Sequence, residues 1–257
     1  MTALHDRARL DHLVVMAGTL AEGAAWCEAT LGVLPGAGGE HPLFGTHNRL
    51  LSVASDAFPL AYLEIIAINP EAAGARQTSA GGLKRWFDMD DEALRAQLRR
   101  HGPRLIHWVA RVPDVQDAAA RLAMLEIDRG EVLRANRMTP AGLLEWQITV
   151  RPDGRRLFDG CLPTLIEWAG VHPATDMPPS GLTLRSLTLR HPRAAALGEA
   201  CTAVGLADVA IAPDVHASID AVLATPRGEV VLSSAEGGWC SPSTNCCCLP
   251  PPRWCWC

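Results

Sequence analysis

RLDHLVVM (residues 9–16) and RLIHWVAR (residues 104–111) decide the fold. Both open Arg-Leu-x-His, both continue in apolar and β-branched residues, and both read as strands. The segments after them are also alike. TLAEGAAWCEAT (19–30) reads as a helix, with Thr19 as N-cap, Glu22 three residues on as its capping-box partner, and Gly32 as the C-terminal stop. In the second copy Pro113-Asp114 opens a helix that runs to about Leu125, with Val115, Ala118, Ala119, Leu122 and Leu125 on one face. Strands over 48–54 and 61–68 complete the first copy, whose second strand is only weakly marked inside 33–41. Strands over 131–137, 143–151 and 163–169 complete the second.

The repeat predicts an α+β fold: tandem βαβββ modules that form a curved mixed β-sheet cleft, plus a third partial βα module. The first module takes residues 1–69, and a helical linker containing LKRWFDMDDEALRAQLRR takes 70–103. The second module takes 104–175 and the third 176–236. The third reads as a strand (LTLRSLTLRHP), a helix ending at Gly205 and two or three further strands, and its first strand has no His where the other two have one. The chemistry is therefore expected within residues 9–170. From Gly237 the text changes to GGWCSPSTNCCCLPPPRWCWC, which holds six of the nine cysteines and has no 2.0 or 3.6 period. It lacks paired zinc-ligand spacing and reads as an extension foreign to the native fold.

Composition excludes several classes. The chain has 257 residues, a formal net charge of −5 and 20% charged residues. No Lys/Arg block marks a nucleic-acid partner. No run of about 18 apolar residues marks a membrane span. The N-terminus lacks an apolar signal core, and only Cys27, Cys161 and Cys201 lie in the body, which together point to the cytoplasm.

The candidate site emerges from aligning the two copies. His12 and His107 occupy the same phase of the first strands. Their last strands, AYLEIIAI and PTLIEWAG, each carry a single Glu, Glu64 and Glu167, in an otherwise apolar run. A carboxylate there needs a partner or solvent. Each Glu comes after its His by a similar interval, 52 and 60 residues. On alternation, His12 shares a face with Val14 and Met16, and His107 with Leu105 and Val109. Two imidazoles and two carboxylates pointing inward suit a divalent metal (Zn, Ni, Mn, Fe or Co) with open positions for substrate oxygens. Glu167 is the expected general base. His41, His47, Asn48 and Arg49, in or beside the GTHN loop, and Trp146 are candidate substrate contacts; Arg49, Arg76, Arg111 and Arg137 are candidate partners of an anionic group. Trp108 and Trp168, each next to a candidate ligand, are expected to face away from the cleft.

These residues resemble the vicinal oxygen chelate superfamily, and most closely its glyoxalase-like domain proteins. LDHLVV, YLEII, IHWVA and LIEW carry the resemblance, together with GGEHPLFGTHNRL (38–50) and LPTLIEWAGVHP (162–173). It spans roughly residues 9–236. The resemblance implies a metal held by first-strand His and last-strand Glu residues: His12, Glu64, His107 and Glu167. It further implies a lyase, isomerase or dioxygenase acting on a small oxygenated molecule held by vicinal oxygens. The alternative is a metal-free protein of the same fold that binds or sequesters a small molecule. Modules of this kind meet within one chain or across a homodimer.

Overall fold

A computed structural model describes residues 7–74, 84–139, 142–235 and 239–240. The first copy comprises β1 (Arg9–Met16), α1 (Leu20–Leu31), β2 (Glu40–His41), β3 (Thr46–Ser52) and β4 (Tyr62–Ile68). The second comes after α2 (Glu92–His101) and comprises β5 (Arg104–Arg111), α3 (Val115–Ala123), β6 (Glu131–Thr139), β7 (Gly142–Val150) and β8 (Thr164–Trp168). Local chemistry sets the helix ends. Thr19 accepts from the Glu22 amide, and the Glu22 carboxylate accepts from the Gly18 amide. Gly32 closes α1 at φ 77°, a left-handed conformation that favours glycine. Asp114 caps α3 through the Asp117 amide.

The two copies form one eight-stranded mixed sheet in the order β2-β3-β4-β1-β5-β8-β7-β6. Within each copy the first strand lies parallel to the last, and β1 pairs antiparallel with β5. The modules therefore meet within one chain. Alternation divides the core. Leu13, Val15, Leu63, Ile65, Trp108 and Leu165 pack with the helices on one face. Val14, Met16, Ile66, Val109, Ile148 and Ile166 lie on the other.

Two β-bulges break this alternation, one in each first strand, and strand periodicity gives no sign of either. β1 slips register against β5 between Leu10 and His12, and again between Val14 and Val15, opposite Ile106. Asp11 is the extra residue in β1 and Ile106 its counterpart in β5. Leu10 and Leu105 thus stay with the helices while His12 and His107 turn to the concave face. The expectation that Leu105 and His107 share a face is corrected by this bulge.

The third unit comprises β9 (Thr183–His191), α4 (Ala194–Ala203), β10 (Ala210–Pro213), β11 (Ser218–Thr225) and β12 (Gly228–Ser233). Its pairing differs from the other two. The first strand, β9, sits between β10 (parallel) and β11 (antiparallel). This smaller sheet packs its apolar residues into the helix-side core, and the Leu184 amide donates to the Val53 carbonyl across the junction. Trp239–Cys240, at the start of the Cys-rich tail, form β13 and pair with β12. Residues 241–257, like Arg76, lie outside the described residues. No described helix is long and apolar enough to cross a membrane.

Candidate functional site

The β1 bulge brings Asp11 and His12, neighbours in sequence, into hydrogen-bond contact. Asp11 Oδ1 lies 2.6 Å from His12 Nδ1. Asp11 Oδ2 accepts from Trp168 Nε1 at 2.9 Å and faces His172 Nε2 at 2.8 Å. The carboxylate is 0% exposed. Burial alone would push its carboxyl up. The His172 charge and the hydrogen bonds from His12 and His172 outweigh that and hold it well below the usual carboxylate range. With Nδ1 engaged by Asp11, His12 turns Nε2 to Glu64, whose Oε2 is 3.6 Å away. Tyr62 stacks on the imidazole at 4.5 Å.

Glu64 is placed by the first module alone. Asn48 Nδ2 donates to its Oε1 at 2.6 Å. Asn48 is in turn gripped by the glycine loop: Gly39 N donates to Asn48 Oδ1, and Asn48 N to the Gly39 carbonyl. A Cβ on Gly38 would stand 2.1 Å from the Asn48 carbonyl oxygen, so only glycine lets the loop approach this closely. His41 faces Thr46 Oγ1 through Nδ1 and reaches Asn48 Nδ2 through Nε2. Burial, then the positive charges of Arg137 and neighbouring histidines, pushes its pKa down to about 3, so it works as a neutral group.

His12, His41, Asn48, Tyr62 and Glu64 line a concave space of about 40 Å³ with Arg137, Trp146, Ile148, Ile166 and Trp168. Trp86 and Phe87 also line it, reaching in from the linker. Trp86 stacks between Phe44 and Phe87 and meets His41 edge-on. Phe87 and Asp88 are both left-handed, at φ 60° and 57°. That conformation is costly for non-glycine residues and needs external fixation. Asp88 supplies it: it accepts from Arg156 Nε and the Arg156 amide, and its own amide donates to the Gly154 carbonyl.

The structure brings His12 and Glu64 together but not the other two expected ligands. His107 is 0% exposed, with Nδ1 2.9 Å from the Gly160 carbonyl and Nε2 accepting from the Thr164 amide at 3.2 Å. Both ring nitrogens are spent, and burial holds its pKa well below the ordinary value. The physical difference between the copies is the bulge residue. Asp11 gives His12 a carboxylate, whereas Ile106 gives His107 nothing. Glu167 alternates to the other face of β8, where Oε2 accepts from the Val115 amide at the start of α3. Trp168 takes the cleft side instead, against the expectation that it faces away. His47 and Arg49 alternate to the opposite side of β3 from Asn48, and Arg49 is exposed. Asn48, His41 and Trp146 do line the cleft.

A resident divalent ion needs three or four converging donors. Among the described residues no group of three His, Cys, Asp or Glu side chains is placed to hold one. The residues present do not fit the expected four-ligand centre, because one ligand is locked in backbone hydrogen bonds and another lies across the sheet. Sequence reasoning missed Asp11, Tyr62, Trp86, Phe87 and His172. For Asp11 a signal existed: an aspartate inside an apolar strand, beside the His, where the other copy has Ile.

Residues 10–205 match the family model described as a glyoxalase-like domain. No curated protein matches. Among solved structures, a hypothetical protein from Staphylococcus aureus superposes with TM-score 0.54 at 14% identity, covering 83% of this chain and 81% of its own. Methylmalonyl-CoA epimerase from Streptomyces coelicolor gives TM-score 0.39 at 18% identity, over 64% of this chain and 96% of its own. A mutant 4-hydroxymandelate synthase from the same organism gives 0.43 at 14%, over 89% and 63%. Only the first is near enough to bear on the fold.

Proposed function

Since the chain belongs to the glyoxalase-like domain family, we propose that its concave face is the active site of an isomerase or lyase that moves a proton on a small oxygenated molecule. The observation that carries this reading is the pairing of a braced imidazole with a held carboxylate. His12 Nε2 and Glu64 Oε2 stand 3.6 Å apart, Asp11 behind the one and Asn48 behind the other. An acid and a base this close can address a carbonyl oxygen and the hydrogen on its neighbouring carbon at once.

Glu64 takes the proton from carbon in this scheme. His12 donates Nε2–H to the oxygen on which negative charge develops, while the buried Asp11 carboxylate fixes the ring and balances its charge. Asn48 keeps Glu64 in place, and its side-chain amide stays on Oε1 throughout. Arg137, whose Nη1 is buried without a partner, neutralises an acid group elsewhere on the substrate. Glu64 replaces Glu167 in the role of base. The cleft as folded holds only a few atoms, and Trp86 and Phe87 shield it from water on the linker side.

The test is solvent exchange. Small 2-oxo and 2-hydroxy acids and their esters are incubated in D2O and monitored by proton NMR. The expected result is loss of the signal from hydrogen next to the carbonyl, abolished in Glu64→Gln and His12→Asn. A second reading, a metal-free binder, is favoured by the aromatic walls of Trp86, Trp146 and Trp168. Saturable binding of such compounds without exchange, unchanged in both variants, would establish it and overturn the first.

A further inference from the structure

Arg111 closes β5 and is 4% exposed. Its Nε, Nη1 and Nη2 are all buried, and none has a hydrogen-bond partner among the described residues. A whole guanidinium without an acceptor is among the costliest groups to bury. Among the described residues, no nearby carboxylate makes a hydrogen bond to it. Asp11 spends both oxygens on His12, Trp168 and His172. Glu167 spends Oε2 on the Val115 amide. Asp208, which also attracts Arg111, accepts from the Leu10 amide, and its other oxygen is buried without a partner. Arg9 adds a repelling positive charge.

Arg111 lines a cavity of about 300 Å³ with Arg7, Pro113, Glu167 and Trp168. That volume falls at the lower end of small-molecule sites. The cavity is separate from the catalytic cleft, and Trp168 is the wall common to both. We propose that this cavity binds a small oxyanion, a carboxylate or phosphate group, with Arg111 as its principal partner and Arg7 at the rim. The guanidinium fork matches the paired oxygens of either group. Neither residue takes part in proton transfer at His12 and Glu64, so this site stands or falls apart from that reading.

Calorimetry and thermal unfolding with inorganic phosphate and with malonate, against chloride at fixed ionic strength, test it. Wild-type protein is expected to bind at least one of the two saturably, with a concentration-dependent rise in Tm. Arg111→Met should weaken that binding at least tenfold. Without the anion it should unfold no earlier than wild type, since an unpaired buried charge is gone. Glu167→Gln removes a like charge from the wall and should tighten binding several-fold, which keeps the proposal testable if Arg111→Met fails to fold. Response to phosphate alone or malonate alone identifies the group. Equal binding in wild type and Arg111→Met, or no saturable binding of either anion, overturns it. Destabilisation of Arg111→Met without any wild-type response also overturns it, and assigns Arg111 to Asp208.

Discussion

Replacing His107 with Ala separates a structural histidine from a metal ligand. The imidazole is fully buried and joins β5 to the segment before β8. Its removal strands the Gly160 carbonyl and the Thr164 amide; Thr164 Oγ1 keeps its bond from Arg129 Nη2 at 2.7 Å. Each stranded group costs about 1–3 kcal/mol. The space left beside Phe87, whose ring centroid lies 5.0 Å from the imidazole, adds a packing loss. Together these give roughly 3–5 kcal/mol, and a Tm drop of about 6–20 °C for a chain of this size. Urea unfolding monitored by tryptophan fluorescence, with calorimetry, measures both. Metal content of wild type and variant, by elemental mass spectrometry, completes the experiment. A variant within about 1 kcal/mol of wild type, or one that loses a stoichiometric divalent ion the wild type carries, would refute the reasoning.

Acid should destabilise the protein earlier than carboxylate titration alone would. The folded state resists protonating His41 (pKa about 3) and His107, while an unfolded histidine titrates near 6.5. Their stability is fully present above that value and is lost as pH falls toward 3, at up to about 1.4 kcal/mol per pH unit for each histidine. The urea midpoint should fall from pH 7 to pH 5, less steeply in His41→Gln; a flat profile contradicts the assignment. Asp11→Asn sets an amide against His12, His172 and the Trp168 N–H, and is expected to cost about 3–5 kcal/mol. It should also abolish exchange in D2O, and a stable, active variant would remove Asp11 from the mechanism. Gly38→Ala drives a methyl into Asn48 and should cost about 1–3 kcal/mol while slowing exchange through a displaced Glu64. Stability and exchange are measured on the same sample, and wild-type behaviour in both counts against the glycine-loop argument.

Much of this protein is legible as a string. Arg-Leu-x-His recurs before a capped helix in both copies, and Thr19, Asp114 and Gly32 mark helix ends by chemistry that acts over three or four residues. The apolar runs with one carboxylate each locate Glu64, because strand alternation and the neighbouring Asn48 both belong to the first module. What the sequence could not settle is register. Periodicity assigns faces only relative to one another, and a single extra residue reverses them. The bulge at Asp11 joins that carboxylate to His12, and its twin at Ile106 leaves His107 to the Gly160 carbonyl and the Thr164 amide and hydroxyl. The phase of β8 puts Trp168 in the cleft and Glu167 behind it. Trp86 and Phe87 come from the linker and enter the cleft through a left-handed pair fixed by Arg156, a contact 68 residues away. The same long-range pairing places β9 between β10 and β11, which no local pattern announces. Four matched positions are therefore readable as a repeat. Only the folded sheet decides that two of them meet side by side on neighbouring strands of the concave face and two do not, because bulges and strand phase are fixed by pairing between distant segments.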